Sequence, residues 1–434
     1  MSIALQVALV MVTILVILLI IGAPIGVAIG LSSAVSMICM IPANVSFATS
    51  AQRIFAGSNS FSLIAIPFFI LAGNIMNNGG IATRLVNCAK VIAGRMPGAL
   101  AQSNVVANML FGAISGSGAA AAAAMGSTIG PLEDKEGYDK NYSVAVNTAS
   151  APVGMLIPPS NTMIVYSSVA GSVSIAALFM AGYIPGLLWG GAVMILAGIM
   201  AKKRGYQAEQ RVPVKVALKT FWQAIPSLLL IVIVIGGILA GVFTATEGSA
   251  IAVVYATVLS LIYKSFKLKD IPRIVLESAK TTGIITFMIG LSSIMSWAMA
   301  FTEIPDMIAT AILGLTDNKI LILLLINVLL LVVGTFMDVT PAILIFTPIL
   351  LPICTAFGMS PIQFGILLCF NLSIGTITPP VGTILFTACR VGGTTIESVI
   401  KTLLPYFAVI LIALLLVTYI PAISMFLPKI LGLV

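Results

Sequence analysis

Apolar residues occur in runs of about 20 positions, and the runs lack the polar alternation of membrane β-strands, so they predict membrane-spanning helices. Such runs lie at 4–22, 24–41, 60–80 and 173–201 in the first half, and at 221–242, 247–264, 278–300 and 402–428 in the second. The sequence Gly22-Ala23-Pro24 separates the first two runs, and one long bent helix over 4–41 is the alternative. The pattern predicts an all-α polytopic membrane protein.

Two further segments, at about 98–135 and 320–357, consist of apolar arms on either side of small or polar residues. The interruptions fall at 112–118 and 334–341. An arm of about 14 residues at 1.5 Å per residue is too short to cross a bilayer. We therefore predict two re-entrant hairpins whose tips lie near the middle of the membrane.

Two apolar segments, at about 140–171 and 361–392, contain adjacent prolines at Pro158-Pro159 and Pro379-Pro380. Proline removes a backbone donor and interrupts a helix. A broken backbone at membrane depth is tolerated only where it is buried in protein or lines a wet cavity. These segments predict two broken helices with exposed helix ends that can bind a ligand.

The two breaks belong to a duplication with an offset of about 221 residues, which aligns Gly154 with Gly375 and Pro158 with Pro379. The polar link 202–220 separates the copies, so we predict repeats at 1–217 and 218–434. Each copy has five crossings and one hairpin, and because five is odd the second copy is inverted. This inverted-repeat plan with broken helices is typical of secondary transporters.

Composition agrees with a membrane protein and sets its orientation. Hydrophobic residues make up 60% of the 434 residues and charged residues only 8%. With the N-terminus outside, 18 of the 21 Lys and Arg residues fall in cytoplasmic loops, as the positive-inside rule requires. We therefore expect a multi-pass protein with both termini outside. The net charge of +8 reflects these loops and is not a nucleic-acid signal.

Several kinds of chemistry are disfavoured by the composition. The chain has no histidine, its five cysteines show no CxxC spacing, and it has no Walker A motif, which argues against histidine-based catalysis and ATP hydrolysis. Asp338 is the one acidic residue predicted at membrane depth, without a second carboxylate for an intramembrane enzyme. A repeated filter or polar stripe of a channel is also missing. We expect a carrier and not an enzyme.

The breaks and tips supply the candidate site residues. Helix N-termini attract anions, whereas unwound carbonyls and hydroxyl groups suit sodium. For sodium we predict two mirrored sets, which are Gly112, Ser115, Gly154 and Pro158 in the first repeat and Gly334, Thr335, Gly375 and Thr378 in the second. For the substrate we predict Ser160, Asn161, Asp338 and Gly382. The alternatives are that Ser115 only allows close helix packing and that Asp338 only caps its helix.

The stretches 65–73, 150–161, 244–247 and 375–382 resemble the large membrane (M) subunit of tripartite ATP-independent periplasmic (TRAP) transporters, of the DctM and SiaM kind. The resemblance covers nearly the whole chain; Ala245 departs from it, because the family motif usually has proline there. It implies an elevator mechanism in the bacterial inner membrane and symport of sodium, the coupling ion, with an organic acid of the sialic acid or C4-dicarboxylate class.

The same resemblance implies two protein partners, a small four-helix membrane subunit (Q-type) and a periplasmic substrate-binding protein (P-type). The alternative is an organic anion carrier that is proton-coupled or independent of a binding protein. Titratable groups are almost absent from the predicted membrane core, which favours sodium as the coupling ion.

Overall fold

The computed structural model describes residues 3–434 except 60, 172, 207–212, 266–267, 306, 309 and 311–317. The regular structure of these residues is helical. The α-helices, in chain order, are α1 Ile3–Ile20, α2 Ile25–Ser36, α3 Ala43–Ser58, α4 Ala65–Asn78, α5 Ile81–Ala93, α6 Ala99–Ser115, α7 Gly118–Thr128, α8 Gly130–Lys135, α9 Lys140–Ser150, α10 Asn161–Ala170, α11 Ile175–Lys203, α12 Val214–Leu239, α13 Ala245–Ile262, α14 Ile271–Phe301, α15 Lys319–Phe336, α16 Val339–Ala356, α17 Pro361–Gly375, α18 Thr383–Gly392, α19 Ile396–Tyr419 and α20 Pro421–Ile430.

The first apolar stretch forms two helices and not one bent helix. Gly22 adopts a φ of 84°, a left-handed conformation that suits glycine, and Pro24 precedes the first residue of α2. Helices α1 and α2 then pack against each other. A single bent helix would not bring its two halves into such contact.

Three details differ from the sequence prediction. Helix α3 was not predicted, because Asn44, Ser46, Gln52 and Arg53 interrupt its apolar pattern. Helix α5 lies between the predicted run 60–80 and the predicted hairpin segment 98–135, where no helix was predicted. The predicted last span, 402–428, divides at Ile420 into α19 and α20, where Pro421 begins the second helix. Polar or proline-containing helices that pack on neighbours are not visible as long apolar runs.

Helix α6, with 17 residues, and both arms of the second hairpin are longer than the predicted length of about 14 residues. Helices α15 and α16 have 18 residues each, and both are long and apolar enough to cross a membrane. Eight helices in the described part of the chain meet that criterion. The first hairpin is shorter on its return side, where α7 has 11 residues and α8 has six. Arm length alone therefore does not distinguish the second hairpin from two ordinary spans.

Helices of the two repeats exchange partners across the centre of the molecule. The return arm of the first hairpin, α7, packs on α18 of the second repeat, and α16 of the second hairpin packs on α10 of the first. Within each repeat, the first hairpin arm packs on the first half of the broken helix, α6 on α9 and α15 on α17. The hairpins and broken helices thus form one interlocked group of helices, which we call the core group.

Buried amides hold this core group together. Asn108 Nδ2 of α6 donates to Asn147 Oδ1 of α9 at 2.9 Å, and Asn371 Nδ2 of α17 donates to Asn327 Oδ1 of α15 at 2.9 Å. All four residues are at most 2% exposed. Because an unpaired amide in an apolar interior is costly, these bonds fix the contact between hairpin and broken helix.

The remaining helices pack beside the core group. Helix α14 packs on α2, α3 and α4, and α4 packs on α13, so these helices, which we call the flanking group, also join the two repeats. Asn74 Nδ2 of α4 donates to Ser278 Oγ of α14 at 2.8 Å. The predicted repeat boundary at 217/218 lies within α12, and part of the predicted link 202–220 lies outside the described residues.

The closest backbone contact in the first repeat gives a prediction about stability. A Cβ atom added at Gly112 of α6 would lie 2.6 Å from the Cα atom of Gly154, whereas one added at Gly191 of α11 meets nothing within 4 Å. We expect Gly112→Ala to cost about 1–3 kcal/mol through overpacking, which lowers the thermal unfolding midpoint in detergent by several degrees.

The matched control is Gly191→Ala, which makes the same change in a helix without the contact. It should leave the midpoint unchanged or raise it slightly, because alanine favours helix over glycine by about 0.5–1 kcal/mol. Equal midpoints for the two variants would show that Gly112 and Gly154 are not in tight contact.

Candidate functional site

A cavity of about 410 Å³ lies where both hairpin tips and both broken helices meet the flanking group. Four helices of the core group contribute their first residues to its lining, and these helices are α7, α10, α16 and α18. Helix N-termini carry unpaired N–H groups and partial positive charge. Among the described lining residues the ionisable side chain is Asp338, and none is basic. The cavity can therefore bind an anion through backbone dipoles.

The first hairpin tip is a sharp turn pressed against the first break. Helix α6 ends at Ser115, Gly116 adopts a φ of 62°, and Ser117 Oγ accepts a hydrogen bond from the Ala120 N–H at 3.3 Å. A Cβ atom at Gly116 would lie 2.8 Å from Asn161 Nδ2, so the tip sits directly on the start of α10. Ser115 and Asn161, predicted for sodium and substrate respectively, both line the cavity.

Ser160 is placed differently from its neighbour Asn161. Its side chain is fully buried and donates to the Met155 carbonyl oxygen. Thr162 Oγ1 donates to the same carbonyl at 3.2 Å. These two hydroxyl groups satisfy a carbonyl that the break removes from the helix, so Ser160 shapes the break beneath the cavity lining. Thr162 also lines the cavity and was not predicted.

The second break is held by backbone hydrogen bonds to its hairpin and to itself. The Val381 N–H donates to the Thr335 carbonyl at 3.2 Å, and the Ile384 N–H donates to the Thr376 carbonyl at 3.0 Å. The second bond satisfies part of the N-terminus of α18. Gly382 precedes α18 with a φ of 33°, is buried and does not contribute to the described lining.

Asp338 lies at the tip of the second hairpin, directly before α16, and lines the cavity. Its side chain makes no capping hydrogen bond to that helix. The Val339 N–H, the first of α16, nevertheless lies beside the Asp338 carboxylate, so the capping and the ligand-binding interpretations both stay predictions. Its carboxylate can accept a hydrogen bond from a ligand in the cavity or balance a nearby cation.

The glycines predicted for sodium form two crossing points. Gly112 lies on Gly154, and a Cβ atom at Gly334 would lie 3.1 Å from the Gly375 Cα atom. The structure thus brings together the glycines of each mirrored set. Pro158 is buried in the first break, and both Pro158-Pro159 and Pro379-Pro380 are cis peptide bonds.

A complete helix break would leave the carbonyl oxygens at these crossings without hydrogen bonds, but two of them accept one each. The Gly112 carbonyl accepts from the Gly116 N–H at 2.8 Å, and the Gly375 carbonyl accepts from the Thr378 N–H at 3.0 Å. Each carbonyl oxygen keeps a second lone pair for a cation. The Thr378 hydroxyl donates to the Ile374 carbonyl at 2.7 Å, and the Thr335 hydroxyl donates to the Val332 carbonyl at 2.7 Å. Both hydroxyl oxygens can still accept or ligate.

Sequence reasoning missed the wall that the flanking group supplies. Asn74 and Asn77 of α4 and Thr281 of α14 line the cavity opposite the hairpin tips. A Cβ atom at Gly73 would lie 2.9 Å from the Ser115 carbonyl oxygen, so α4 closely approaches the first tip. Amides in an otherwise apolar helix were an available signal, but the partner surface of α4 was not.

A second cavity, of about 190 Å³, lies at the base of the first hairpin, and its described lining residues lie outside the eight helices that are long and apolar enough to cross a membrane. Glu133 of α8 lines it and is 1% exposed. Burial raises the pKa of Glu133 to about 7, and the charges of Asp134 and Glu136 act in the same direction. Polar groups of Ser143 and Asn104 face this carboxyl and oppose the shift.

Comparisons with known proteins agree on the family. The model of the DctM component of tripartite ATP-independent periplasmic transporters matches residues 12–423. The uncharacterized protein YgiK of Salmonella typhimurium is 49% identical over 92% of this chain and 91% of its own length. The C4-dicarboxylate TRAP transporter large permease protein DctM of Pseudomonas aeruginosa is 38% identical over 92% of this chain and 93% of its own.

Two more comparisons bear on partners and on fold. The isethionate TRAP transporter permease protein DctMQ of Oleidesulfovibrio alaskensis is 44% identical over 87% of this chain, which covers 59% of that longer protein. The crystal structure of the Alcanivorax borkumensis YdaH transporter superposes with a TM-score of 0.65, at 16% identity, over 86% of this chain and 87% of that one. The last similarity shows the fold alone. The chain is a multi-pass membrane protein that belongs to the family of TRAP transporter large permeases.

Proposed function

We propose that this chain carries an organic acid with a carboxylate group into the cell by sodium symport. The observation that supports this most is the central cavity, where helix N-termini converge without a basic side chain among the described lining residues. Backbone dipoles bind an anion less tightly than a buried arginine ion pair. Such a site suits a carrier, which must release its substrate on the far side.

The carboxylate is proposed to sit at the starts of α7 and α10. Gly118 and Ala119 present the first N–H groups of α7, and Ser160 makes no capping bond to α10, so its first amides are open to a ligand. Asn161 Nδ2 adds a side-chain donor beside them. Asp338, across the cavity, accepts a hydrogen bond from a hydroxyl group of the substrate. The proposed substrate is an organic acid of the sialic acid or C4-dicarboxylate class.

Sodium is proposed to bind at the two glycine crossings, with Gly112, Ser115, Gly154 and Pro158 at one and Gly334, Thr335, Gly375 and Thr378 at the other. Neutral carbonyl and hydroxyl oxygens are suitable ligands when several of them converge on the ion. Each crossing lies beside a hairpin tip that lines the substrate cavity. A cation at either crossing therefore orders a tip and favours binding of the anion.

An elevator movement is proposed because the cavity lies at the contact between two groups of helices. The core group supplies the tips and helix ends, whereas the flanking group supplies Asn74, Asn77 and Thr281. Movement of the core group past the flanking group carries the site across the membrane. We place the chain in the bacterial inner membrane with both termini in the periplasm, as the distribution of Lys and Arg indicates.

A small Q-type membrane subunit and a P-type periplasmic binding protein are proposed as partners. Family membership supports both partners. The DctMQ relative is a longer single protein whose name joins the letters M and Q. Delivery by a binding protein would compensate for the weak affinity expected of a site without basic side chains.

The function is tested by uptake into proteoliposomes. We expect succinate or sialic acid to accumulate when an inward sodium gradient is imposed on liposomes that hold the chain and its Q-type subunit, with the binding protein outside. Sodium, and not a proton, is expected as the coupling ion because proton coupling needs titratable groups, and the described lining residues include a single ionisable side chain, that of Asp338. The initial rate of accumulation of radiolabelled acid is the measurement.

Two control arms separate the parts of this proposal. A proton gradient in sodium-free buffer should drive no accumulation, and full uptake in that arm would overturn sodium coupling. Liposomes that hold the chain alone should accumulate little acid, and robust uptake there would overturn the need for partners while leaving the carrier function intact.

The anion site gives a separate prediction. Asn161→Asp keeps the side-chain shape but places a negative charge at the start of α10. Two like charges about 4 Å apart repel by roughly 4 kcal/mol at an effective dielectric constant near 20. We expect the half-saturating concentration of the acid to rise at least tenfold in the same uptake assay.

The control variant is Asn44→Asp, which makes the same change on the exposed first turn of α3. It should transport with unchanged half-saturation. If Asn161→Asp also leaves the half-saturation unchanged, the substrate does not bind at the start of α10.

A further inference from the structure

The cavity at the base of the first hairpin shares no lining residue with the central one. It lies between α6, the α7–α8 arm and α9 of the first repeat and α18 of the second, and its polar lining includes Asn104, Ser127, Glu133, Ser143 and Asn147. Its volume of about 190 Å³ is ample for a metal ion with several waters. The cavity thus combines several polar side chains with a buried carboxyl group, that of Glu133.

Two buried oxygen atoms in this cavity have no partner within strict hydrogen-bond geometry in the described part of the chain, although Ser143 and Asn104 lie beside the carboxyl group. They are Oε1 of Glu133, a residue that is 1% exposed, and Oγ of Ser143, a residue that is 7% exposed. Asn104, also 1% exposed, lies beside them. A buried carboxylate without a charged partner costs several kcal/mol, so a buried acid either stays protonated or is paired with a cation or a metal.

The protein supplies no cation for Glu133 within the described lining. Lys140 of α9 is the basic residue there, but its Nζ atom lies 3.7 Å from Asp134 Oδ2, and both side chains are about half exposed. The neighbouring acidic residues on the same helix and turn, Asp134 and Glu136, add negative potential. Glu133 is therefore a buried acid without a basic partner, in a cavity whose described lining also holds the ion pair of Asp134 and Lys140.

We propose that this cavity binds one monovalent metal cation, Na⁺ or K⁺, through the Glu133 carboxylate and the Ser143 hydroxyl, with water completing the shell. A divalent ion such as Ca²⁺ takes six to eight oxygen ligands and usually several carboxylates. The described residues contain no group of three acidic, cysteine or histidine side chains that could hold such an ion.

The position of the site suggests what the cation does. Helix α7 packs on α18 of the other repeat beside this cavity, where a Cβ atom at Gly126 would lie 2.9 Å from Val391 Cγ1. A cation held by α8 and α9 fixes the base of the hairpin against that contact. The site is separate from the two glycine crossings and does not depend on the proposed transport cycle.

The test counts bound cations on the purified full-length chain. Equilibrium binding of ²²Na⁺ and, as a potassium analogue, ⁸⁶Rb⁺ is measured in detergent at pH 8 with choline as the background cation. We expect the wild type to bind one more cation per chain at saturation than Glu133→Gln does, with at least one of the two probes. The control Glu136→Gln changes an exposed acid three residues away and should keep the wild-type count.

A second variant covers the case in which Glu133→Gln does not fold. Ser143→Ala removes one neutral ligand, so we expect the wild-type count with a half-saturating concentration about three- to tenfold higher, since a lost hydrogen-bond-like contact is worth about 1 kcal/mol. Equal counts for wild type and Glu133→Gln with both probes would overturn the site. Unchanged half-saturation in Ser143→Ala would overturn it as well.

Failure of this site and failure of the proposed sodium crossings give different results. If the crossings bind no sodium, the wild-type count falls, but the difference of one ion between wild type and Glu133→Gln remains. If only the base cavity is wrong, that difference disappears while the sodium bound at the crossings persists.

Discussion

Backbone groups that leave a helix inside a bilayer must find partners within the protein, and this constraint governs the centre of the molecule. In the first break the Met155 carbonyl accepts from the hydroxyl groups of Ser160 and Thr162. In the second, the Thr376 carbonyl accepts from the start of α18, and the Thr335 carbonyl of the hairpin accepts from Val381. The first break thus satisfies its Met155 carbonyl from its own residues, whereas the second also uses the tip of its hairpin.

Close contact between tips and breaks also determines what the site can bind. Because glycine meets glycine at both crossings, backbone approaches backbone and main-chain oxygens lie close together. The helices that restart after the tips and breaks direct their N-termini into one cavity. One arrangement therefore offers oxygens to a cation and amides to an anion at neighbouring points, which is the physical basis of the coupled binding that we propose.

The features that the sequence revealed are those encoded by unusual residues. Paired prolines and glycines at a fixed offset predicted the breaks and the tips, and they assigned Gly112 with Gly154, and Gly334 with Gly375, to common candidate sites. Features that depend on tertiary contacts were not predictable. Ser160 and Asn161 are adjacent in sequence, yet one is buried under the break and the other lines the cavity. Helices α3 and α5, the wall formed by α4 and α14, and the cavity around Glu133 depend likewise on packing partners that periodicity does not identify.

The central claim is that helix N-termini, without basic side chains, hold the substrate carboxylate beside a sodium ion. A structure of the chain determined with succinate or sialic acid and sodium bound tests this most directly. The account predicts a carboxylate within hydrogen-bond distance of the amides of Gly118, Ala119 or Thr162, and sodium at the Gly112–Gly154 or Gly334–Gly375 crossing. A carboxylate paired with a lysine or arginine outside this cavity, or sodium bound away from both crossings, would contradict it.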